Sequence, residues 1–275
     1  MTGIFTGLLR PRLAVLNGIA TAGGYLLFPG NIDPISLVVV LVGVAFLAAG
    51  GSALNQVLER DLDRLMARTM DRPIPTGRLT VTAATAIGMG SILAGLLLLG
   101  RAYDLIPLLL GCLGLVWYLA VYTPLKRRSA LALPVGAVCG ALPPLIGWSF
   151  AGGDPTDFQI IFLAGVLYLW QIHHFWLIQR RHVEDYRKAG IPLLPAVSSQ
   201  NDLSGIFRLW MAALVTMALL LPAFGIIRDN TALLYSFFLL PLVLLPFIRS
   251  ERIIFSYINF FPLLVTVALC FQGMK

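Results

Sequence analysis

Residues 55–73 read NQVLERDLDRLMARTMDRP, and they close an apolar run that begins near residue 35. If this run continues as one helix, Asn55, Glu59 and Asp63 share a face, because i, i+4 neighbours drift by about 40° and rise by about 6 Å. Oxygen ligands on one face suit Mg²⁺, which takes one or two carboxylates together with phosphate and water oxygens. The stretch therefore predicts a helix whose end carries a magnesium site.

The same charges also fit a plain alternative. In a solvated helix end, the acids would pair with nearby arginines of the same stretch, and charge runs are usually solvated faces of this kind. The arginines available for such pairs are Arg60, Arg64 and Arg68. Both interpretations stay open at this point.

The composition identifies an integral membrane protein. Of the 275 residues 58% are hydrophobic and 12% are charged, whereas a soluble domain has about 25% charged residues. The net charge of +7 is no sign of nucleic-acid binding, since membrane proteins collect Lys and Arg on cytoplasmic loops. Cys112, Cys139 and Cys270 lie in apolar runs without a CxxC pair, which argues against a zinc site or a disulfide framework.

The hydrophobic pattern predicts an all-α, polytopic fold of about nine transmembrane helices in a single domain over residues 1–275. The predicted spans are 13–29, 35–58, 81–100, 104–122, 129–150, 158–179, 206–227, 231–249 and 253–272. All but three of the 20 bases, namely Arg101, Arg228 and Lys275, fall on one side of these spans. The positive-inside rule then puts the N-terminus in the cytoplasm and the C-terminus outside. Without a cleavable leader, we expect a multi-pass protein of a bacterial-type plasma membrane.

Three polar segments meet on the cytoplasmic side. They follow the second, fourth and sixth spans, at residues 55–78, 122–128 and 170–186. Carboxylates with metal ions, opposed by Lys or Arg, form a clamp for a diphosphate and neutralise the charge that builds up as it leaves. Two alternatives remain. Residues 126–128 also fit an ordinary topology signal, and Arg180 and Arg181 also fit i, i+4 pairs with Glu184 and Asp185.

Two histidines lie inside the sixth span. Ionisable residues within membrane helices are expensive and tend to mark sites, although a hydrogen-bonded core residue is the commoner role. His174 shares a helical stripe with Gln171 and Ile178 that extends towards Arg181 and Asp185, so it is expected to face the carboxylates. His173 points about 100° away and is the weaker candidate. His182 is expected to be solvated, and Asn17 to form a helix–helix hydrogen bond.

Taken in order, these motifs resemble the UbiA superfamily of intramembrane prenyltransferases, and within it the haem O synthase branch. The resemblance runs from Arg10 to Pro195 and rests on residues 55–73, YTPLKR at 122–127, GALPPLIGW at 140–148, QIHHFW at 171–176 and EDY at 184–186, followed by GIPLLP at 190–195. Three positions depart from the pattern. Glu59 stands where Asp is usual, His173 stands where Pro is usual, and only Glu184 and Asp185 represent the second acidic motif.

The resemblance implies a reaction. Farnesyl diphosphate would ionise to an allylic cation, the 2-vinyl group of haem b would attack it, and water would quench the product to give haem O. The residues support the diphosphate half independently, while the haem half depends on the resemblance. Mg²⁺ is the implied cofactor, and membrane lipid and a haem A synthase are the implied partners.

The resemblance also implies roles for individual residues. Asn55, Glu59 and Asp63 would bind Mg²⁺ and the diphosphate, and Glu184 and Asp185 would hold a second metal or orient the clamp, with Asp185 as the metal ligand of this pair. Contacts to the substrates would come from a larger set, namely Arg68, Arg72, Tyr122, Lys126, His174, Arg181 and Glu184, with His174 near the haem.

Two other functions remain open. One is a related prenyltransferase that acts on a phenolic or quinone-precursor ring. The other is a polytopic transporter, since transporters also place carboxylates and histidines among helices. The acids of this chain cluster at cytoplasmic helix ends rather than at mid-membrane, which favours the enzyme.

Overall fold

The computed structural model describes residues 2–198, 205–245, 248 and 250–273, and in these residues the chain is helical with no strand. The predicted all-α class is confirmed. In chain order the helices are α1 Thr2–Leu9, α2 Pro11–Leu27, α3 Pro34–Leu58, α4 Arg60–Asp63, α5 Val81–Leu99, α6 Ile106–Val116, a π-helical segment Trp117–Tyr122, α7 Thr123–Leu125, α8 Ala132–Phe150, α9 Phe158–Arg181, α10 Val183–Lys188, α11 Pro195–Ser198, α12 Gly205–Ala223, α13 Asp229–Leu244 and α14 Glu251–Gly273.

Within the described ranges, seven helices are long and apolar enough to cross a membrane. They are Pro34–Leu58, Val81–Leu99, Ile106–Leu125, Ala132–Phe150, Phe158–Arg181, Gly205–Ala223 and Glu251–Gln272. The predicted first and eighth spans correspond to α2 and α13, which have 17 and 16 residues and so fall short of the 18 that the others reach. Residues 246, 247 and 249 of the eighth span lie outside the described residues. The count of nine spans therefore stays a prediction.

Helix α2 packs against α3, α8 and α14. Its contact with α8 needs glycine on both helices. A Cβ at Gly24 would lie 1.9 Å from the carbonyl oxygen of Pro144, and a Cβ at Gly147 would lie 1.9 Å from that of Thr21. Small residues let helix backbones approach closely in membranes. This contact fixes the distance between the two walls formed by α2 and α8.

A buried glutamine docks the N-terminal helix against α3. Gln56 donates from Nε2 to the carbonyl oxygens of Leu8, at 2.7 Å, and Gly7, at 3.2 Å, near the end of α1. Those carbonyls lack partners within the helix, so the side chain satisfies them. The chain then turns at Arg10, which has a left-handed backbone conformation with φ of 48°. The turn directs Arg10 towards the interior of the bundle.

Candidate active site

A cavity of about 290 Å³ opens between α2, α3, the π-helical segment, α8, α9 and α14. One end is polar, with cations, carboxylates and an amide from Arg10, Asn55, Glu59, Asp63, Arg68, Arg72 and Lys126. The remainder is mainly apolar and aromatic, with Leu47, Tyr118, Tyr122, Leu142, Trp170 and Phe175. The arrangement fits a molecule with an anionic head and a long apolar body.

The acidic face lies at the end of α3. Asn55, Glu59 and Asp63 all line the cavity, and their exposed fractions are 6%, 3% and 2%. Helix α3 ends at Leu58, as the predicted span 35–58 does, and Glu59 leaves the helical region at φ −103° and ψ 14°, so the condition that the run continues as one helix is not met. The amides of Glu59 and Asp63 nevertheless donate to the carbonyls four residues earlier, both at 2.8 Å. The i, i+4 spacing therefore survives the break.

Both carboxylates of this face form buried ion pairs with bases from other segments. Lys126 Nζ lies 3.1 Å from each carboxylate oxygen of Glu59. Arg72 Nη1 lies 2.9 Å and 2.8 Å from the two oxygens of Asp63. The side chains of Glu59 and Asp63 are only 4% and 3% exposed. Buried carboxylates need such partners to remain charged, so the solvated helix end is wrong for these two residues.

Asp61, in contrast, turns away from the cavity. It pairs with Arg127 through two hydrogen bonds of 2.8 Å, and this pair is exposed. The hydrogen bonds from Arg127 hold the pKa of Asp61 below its usual value. Lys126 and Arg127 thus have different environments although they are adjacent, and the topology-signal interpretation of residues 126–128 does not account for the buried Lys126.

A π-helical segment shapes the opposite wall. Its last turn closes with the amide of Thr123 donating to the carbonyl of Tyr118. The hydroxyl of Thr123 donates to the same carbonyl at 2.8 Å and accepts from Asn55 Nδ2 at 3.1 Å. With its nitrogen engaged, Asn55 has its side-chain oxygen left to bind a cation. Single π turns inside α-helices often occur at functional sites.

Aromatic rings continue this wall. Tyr118 stacks on Tyr122 at 6.0 Å between ring centroids, and Tyr122 stacks on Phe175 at 5.9 Å. The sequence motifs single out Tyr122 but not Tyr118. Spacing alone would have found it, since Tyr118 precedes Tyr122 and Lys126 at intervals of four residues.

The second acidic segment does not reach the cavity. Asp185 accepts hydrogen bonds from the backbone amides of Ala67 and Arg68, at 3.1 Å and 3.2 Å. Burial opposes ionisation, but these hydrogen bonds together with the nearby His182 and Arg68 outweigh it, and the pKa of Asp185 lies below its usual value. Glu184 is exposed and pairs with Arg187 at 2.8 Å. Neither residue lines the cavity, so the structure gives no support for a second metal site at this point.

The stripe on α9 also ends earlier than predicted. Gln171, His174 and Ile178 line the cavity, whereas Arg181 does not. Its guanidinium lies 5.8 Å from the ring centroid of Phe255. The helix ends at Arg181 and the backbone turns at His182, with φ −123° and ψ 30°, so residues beyond this point leave the stripe. The partners differ from the i, i+4 pairs considered from the sequence. Arg180 pairs with Glu251, Glu184 pairs with Arg187, and Asp185 accepts from the amides of Ala67 and Arg68.

The two histidines have different surroundings. His174 lines the cavity, and its ring stacks on Trp170 at 5.4 Å. His173 is fully buried, with Nδ1 2.7 Å from the carbonyl oxygen of Leu169 and its ring edge-on to Phe207. His173 is thus a core residue. His182, expected to be solvated, is half-buried and 3.9 Å from Asp185.

Sequence reasoning missed other polar residues of the cavity wall, among them Arg10, Asn17, Gln179 and Asn259. Burial and the nearby Arg72 lower the pKa of Arg10 from its usual value. Asn17 donates to Leu13 within α2 at 2.9 Å rather than to another helix. In the sequence Arg10 looks like one of the cytoplasmic topology charges, and only the left-handed turn distinguishes it from them.

Asn55, Glu59 and Asp63 fit a metal ion that obtains its remaining oxygen ligands from a bound phosphate and from water. Among the described residues no three His, Cys, Asp or Glu side chains cluster closely enough to hold a metal on their own. Two carboxylates and an amide oxygen are what Mg²⁺ takes from a protein when phosphate oxygens and water complete its shell. The cavity thus suits Mg²⁺ together with a phosphate-bearing ligand.

Comparison with known proteins identifies the family of the chain. Residues 17–254 match the UbiA prenyltransferase family. A protoheme IX farnesyltransferase of Geobacter sulfurreducens is 56% identical over 264 residues, which are 95% of this chain and 96% of that protein. The chain belongs to the protoheme IX farnesyltransferase family. Another such farnesyltransferase, of Oleidesulfovibrio alaskensis, is 41% identical over 82% of this chain and 79% of its own length.

Solved structures agree on the fold of this farnesyltransferase family member. A UbiA homologue from Aeropyrum pernix K1 has a TM-score of 0.79 at 19% identity, over 97% of this chain and 98% of that one. A UbiA homologue from Archaeoglobus fulgidus, bound to DMAPP and Mg²⁺, has a TM-score of 0.72 at 17% identity, over 98% of each chain. At these identities the likeness concerns the fold alone. The predicted UbiA-type helical bundle is therefore confirmed.

Proposed function

We propose that this protein transfers the farnesyl group of farnesyl diphosphate to the 2-vinyl group of haem b, with addition of water, and releases haem O and diphosphate. One observation carries the proposal. Two buried carboxylates, Glu59 and Asp63, are each held by a base at the polar end of a largely apolar, aromatic cavity. Membership of the protoheme IX farnesyltransferase family supplies the identity of the acceptor.

The diphosphate would occupy the polar end. Asn55, Glu59 and Asp63 are the residues that would hold Mg²⁺, which when bound neutralises the charge of the departing diphosphate. The bases that now pair with Glu59 and Asp63, Lys126 and Arg72, would then turn to the phosphate oxygens. A lysine grips phosphate as a point charge and an arginine as a planar fork. This exchange leaves none of these four charged side chains without a partner of opposite charge in either state.

The prenyl chain would lie along the aromatic wall. When the bond between C1 of the farnesyl group and the diphosphate oxygen breaks, an allylic cation forms close to the stack of Tyr118, Tyr122 and Phe175. The face of an aromatic ring attracts a cation. The apolar wall also excludes water from C1, so that the vinyl carbon of the acceptor can attack first.

The acceptor would lie near His174. Its ring lines the cavity and stacks on both Trp170 and Phe255, which fixes its orientation, and we assign His174 and Tyr122 to substrate binding. The terminal vinyl carbon forms the new bond to C1, water adds to the resulting cation beside the ring, and a proton leaves. The product is a hydroxyethylfarnesyl side chain.

We further propose that the chain is a single domain in the plasma membrane, with the polar end of the cavity towards the cytoplasm. This orientation rests on the side on which the bases lie. A haem A synthase is the partner proposed for the product.

The test is direct. Purified protein in lipid nanodiscs is incubated with farnesyl diphosphate, haem b and Mg²⁺, and the products are separated by chromatography. We expect haem O from the wild type, none from Asp63→Asn, and wild-type levels from Asp61→Asn, whose carboxylate faces away from the cavity. Prenylation of a phenolic acid without haem O would favour a different acceptor. Movement of a solute across vesicles without covalent change would favour a transporter, and an active Asp63→Asn variant would refute the metal role.

A further inference from the structure

The carboxylate of Asp185 holds two consecutive backbone amides of the loop that carries two cavity arginines. Oδ1 accepts from Ala67 at 3.1 Å and Oδ2 accepts from Arg68 at 3.2 Å. The residue is 8% exposed. We refer to residues 64–72 as the arginine loop, because Arg68 and Arg72 within it both line the cavity. Asp185 thus contacts the backbone from which these side chains project.

The arginine loop has other attachments, which leave the two amides at its middle to Asp185. The hydroxyl of Thr69 donates to the carbonyl of Asp63 at 3.0 Å, and Arg72 pairs with the carboxylate of Asp63. Met66 is buried in a small apolar cluster with Leu62, Tyr186 and Ile191. The hydrogen bonds of Ala67 and Arg68 to Asp185 are partly buried, and backbone amides without a secondary-structure partner need another acceptor to the extent that water is excluded. Asp185 supplies that acceptor across the interface between the arginine loop and α10.

The placement of Asp185 separates it from the cavity. Its neighbour Tyr186 lines the cavity wall, and so does Arg68, but Asp185 does not. Both carboxylate oxygens face the loop amides instead of the side of Glu59 and Asp63. A ligand that reaches the polar end therefore meets the arginines that Asp185 holds, and not Asp185 itself.

We propose that Asp185 is a positioning residue, which acts through the arginine loop to set the guanidinium groups of Arg68 and Arg72 at the diphosphate end, and that it is not a ligand of a second metal ion. The proposal rests on the proposed function in one respect, that the polar end binds a diphosphate. Asparagine at this position keeps the shape but turns an NH₂ group towards one of the two amides. The arginine loop then loses one hydrogen bond to residue 185, and the NH₂ group of the asparagine, which is a donor, faces a backbone amide that is also a donor.

The test compares Asp185→Asn with Asp33→Asn as a matched control. Asp33 also bridges two nearby amides, those of Ile35 and Ser36, at 3.2 Å and 3.0 Å, but it caps the opposite end of α3 from the cavity. Three quantities are measured in nanodiscs: the Kd of inorganic pyrophosphate in saturating Mg²⁺, the Mg²⁺ concentration for half-maximal binding, and hydrogen exchange at the amides of residues 67 and 68. The KM and kcat for farnesyl diphosphate are measured alongside.

We expect Asp185→Asn to raise the Kd of pyrophosphate and the KM by about tenfold or more, as for the loss of one charge-assisted hydrogen bond. Exchange at residues 67 and 68 should speed up, the Mg²⁺ requirement should stay within about twofold of wild type, and Asp33→Asn should change none of these. A loss of folded protein alone would lower the amount of active enzyme without changing the KM. If Asp185→Asn fails to fold, Asp185→Glu, which keeps the charge but shifts the carboxylate by one carbon, takes its place with a smaller rise in Kd.

Two results would overturn the proposal. One is a large shift in the Mg²⁺ requirement with unchanged exchange at residues 67 and 68, which would make Asp185 a metal ligand. The other is wild-type pyrophosphate binding in the variant. Because binding and exchange need no haem, a failure to form haem O would refute the proposed function without deciding the role of Asp185.

Discussion

Replacing Lys126 by methionine should destabilise the ligand-free protein far more than the same change at Arg127. The ammonium of Lys126 lies 3.1 Å from both oxygens of Glu59, and the two side chains are 11% and 4% exposed. Removing one member of a buried pair leaves the other charge uncompensated, at about 3–5 kcal/mol. Since Lys126 retains a little contact with solvent, we expect about 3 kcal/mol.

The control is the adjacent residue. Arg127 and Asp61 are 37% and 61% exposed, and pairs of that kind contribute less than about 1 kcal/mol. For a chain of this size, 3 kcal/mol corresponds to a fall in melting temperature of about 6–12 °C. Thermal unfolding of Lys126→Met and Arg127→Met in the same detergent, without Mg²⁺, measures the difference.

Two further measurements test whether the uncompensated charge of Glu59 causes the destabilisation. The double variant Glu59→Gln with Lys126→Met removes both charges and should melt at a higher temperature than Lys126→Met alone, since coupled residues are not additive. Mg²⁺ should raise the melting temperature of Lys126→Met more than that of wild type, because the free carboxylate of Glu59 binds the cation. The reasoning fails if Lys126→Met melts within about 2 °C of Arg127→Met, or if the double variant regains nothing.

Three other outcomes are expected. Gly24→Ala places a Cβ 1.9 Å from a carbonyl oxygen of α8 and should destabilise the bundle by about 3 kcal/mol or more, visible as a loss of folded protein in a thermal ramp. Thr123→Val removes the hydroxyl that accepts from Asn55, and turnover should fall by about tenfold, whereas Thr123→Ser should keep it. The pKa of Asp185 is lowered, so its hold on the arginine loop is complete above the usual pKa of about 3.9 and is lost as pH falls through the depressed value. Protection of the held amides from hydrogen exchange should then be flat from neutral pH down to about pH 5; a loss near pH 7 would contradict this assignment.

The sequence predicted the helical class and the acidic face because both follow from short-range regularities. Hydropathy marks spans by composition, and i, i+4 spacing brings Asn55, Glu59 and Asp63 together even though α3 breaks at Glu59. The break did not matter because the hydrogen bonds to the carbonyls four residues earlier continue through it.

The sequence did not predict which bases pair with Glu59 and Asp63. Pairing of Glu59 with Lys126 joins residues 67 positions apart, and no periodicity links α3 to the helix after the π-helical segment. The end of α9 at Arg181 could not be predicted from the sequence either, since the charged residues that follow continue the helical pattern. For the same reason the sequence predicted Asp185 on the cavity side, where one turn of backbone at His182 directs it to the arginine loop instead.

The six residues of the π-helical segment also constrain how this part of the chain tolerates insertions and deletions. A π turn contains one residue more than an α turn, and each residue of an α-helix rotates the following ones by about 100°. Deleting one residue between 117 and 122 would turn the π turn into an α turn and would keep Thr123 and Lys126 on the wall that they share with Asn55 and Glu59. A deletion in the regular turns of α6 would instead rotate both residues by about 100° and separate the two halves of the polar end.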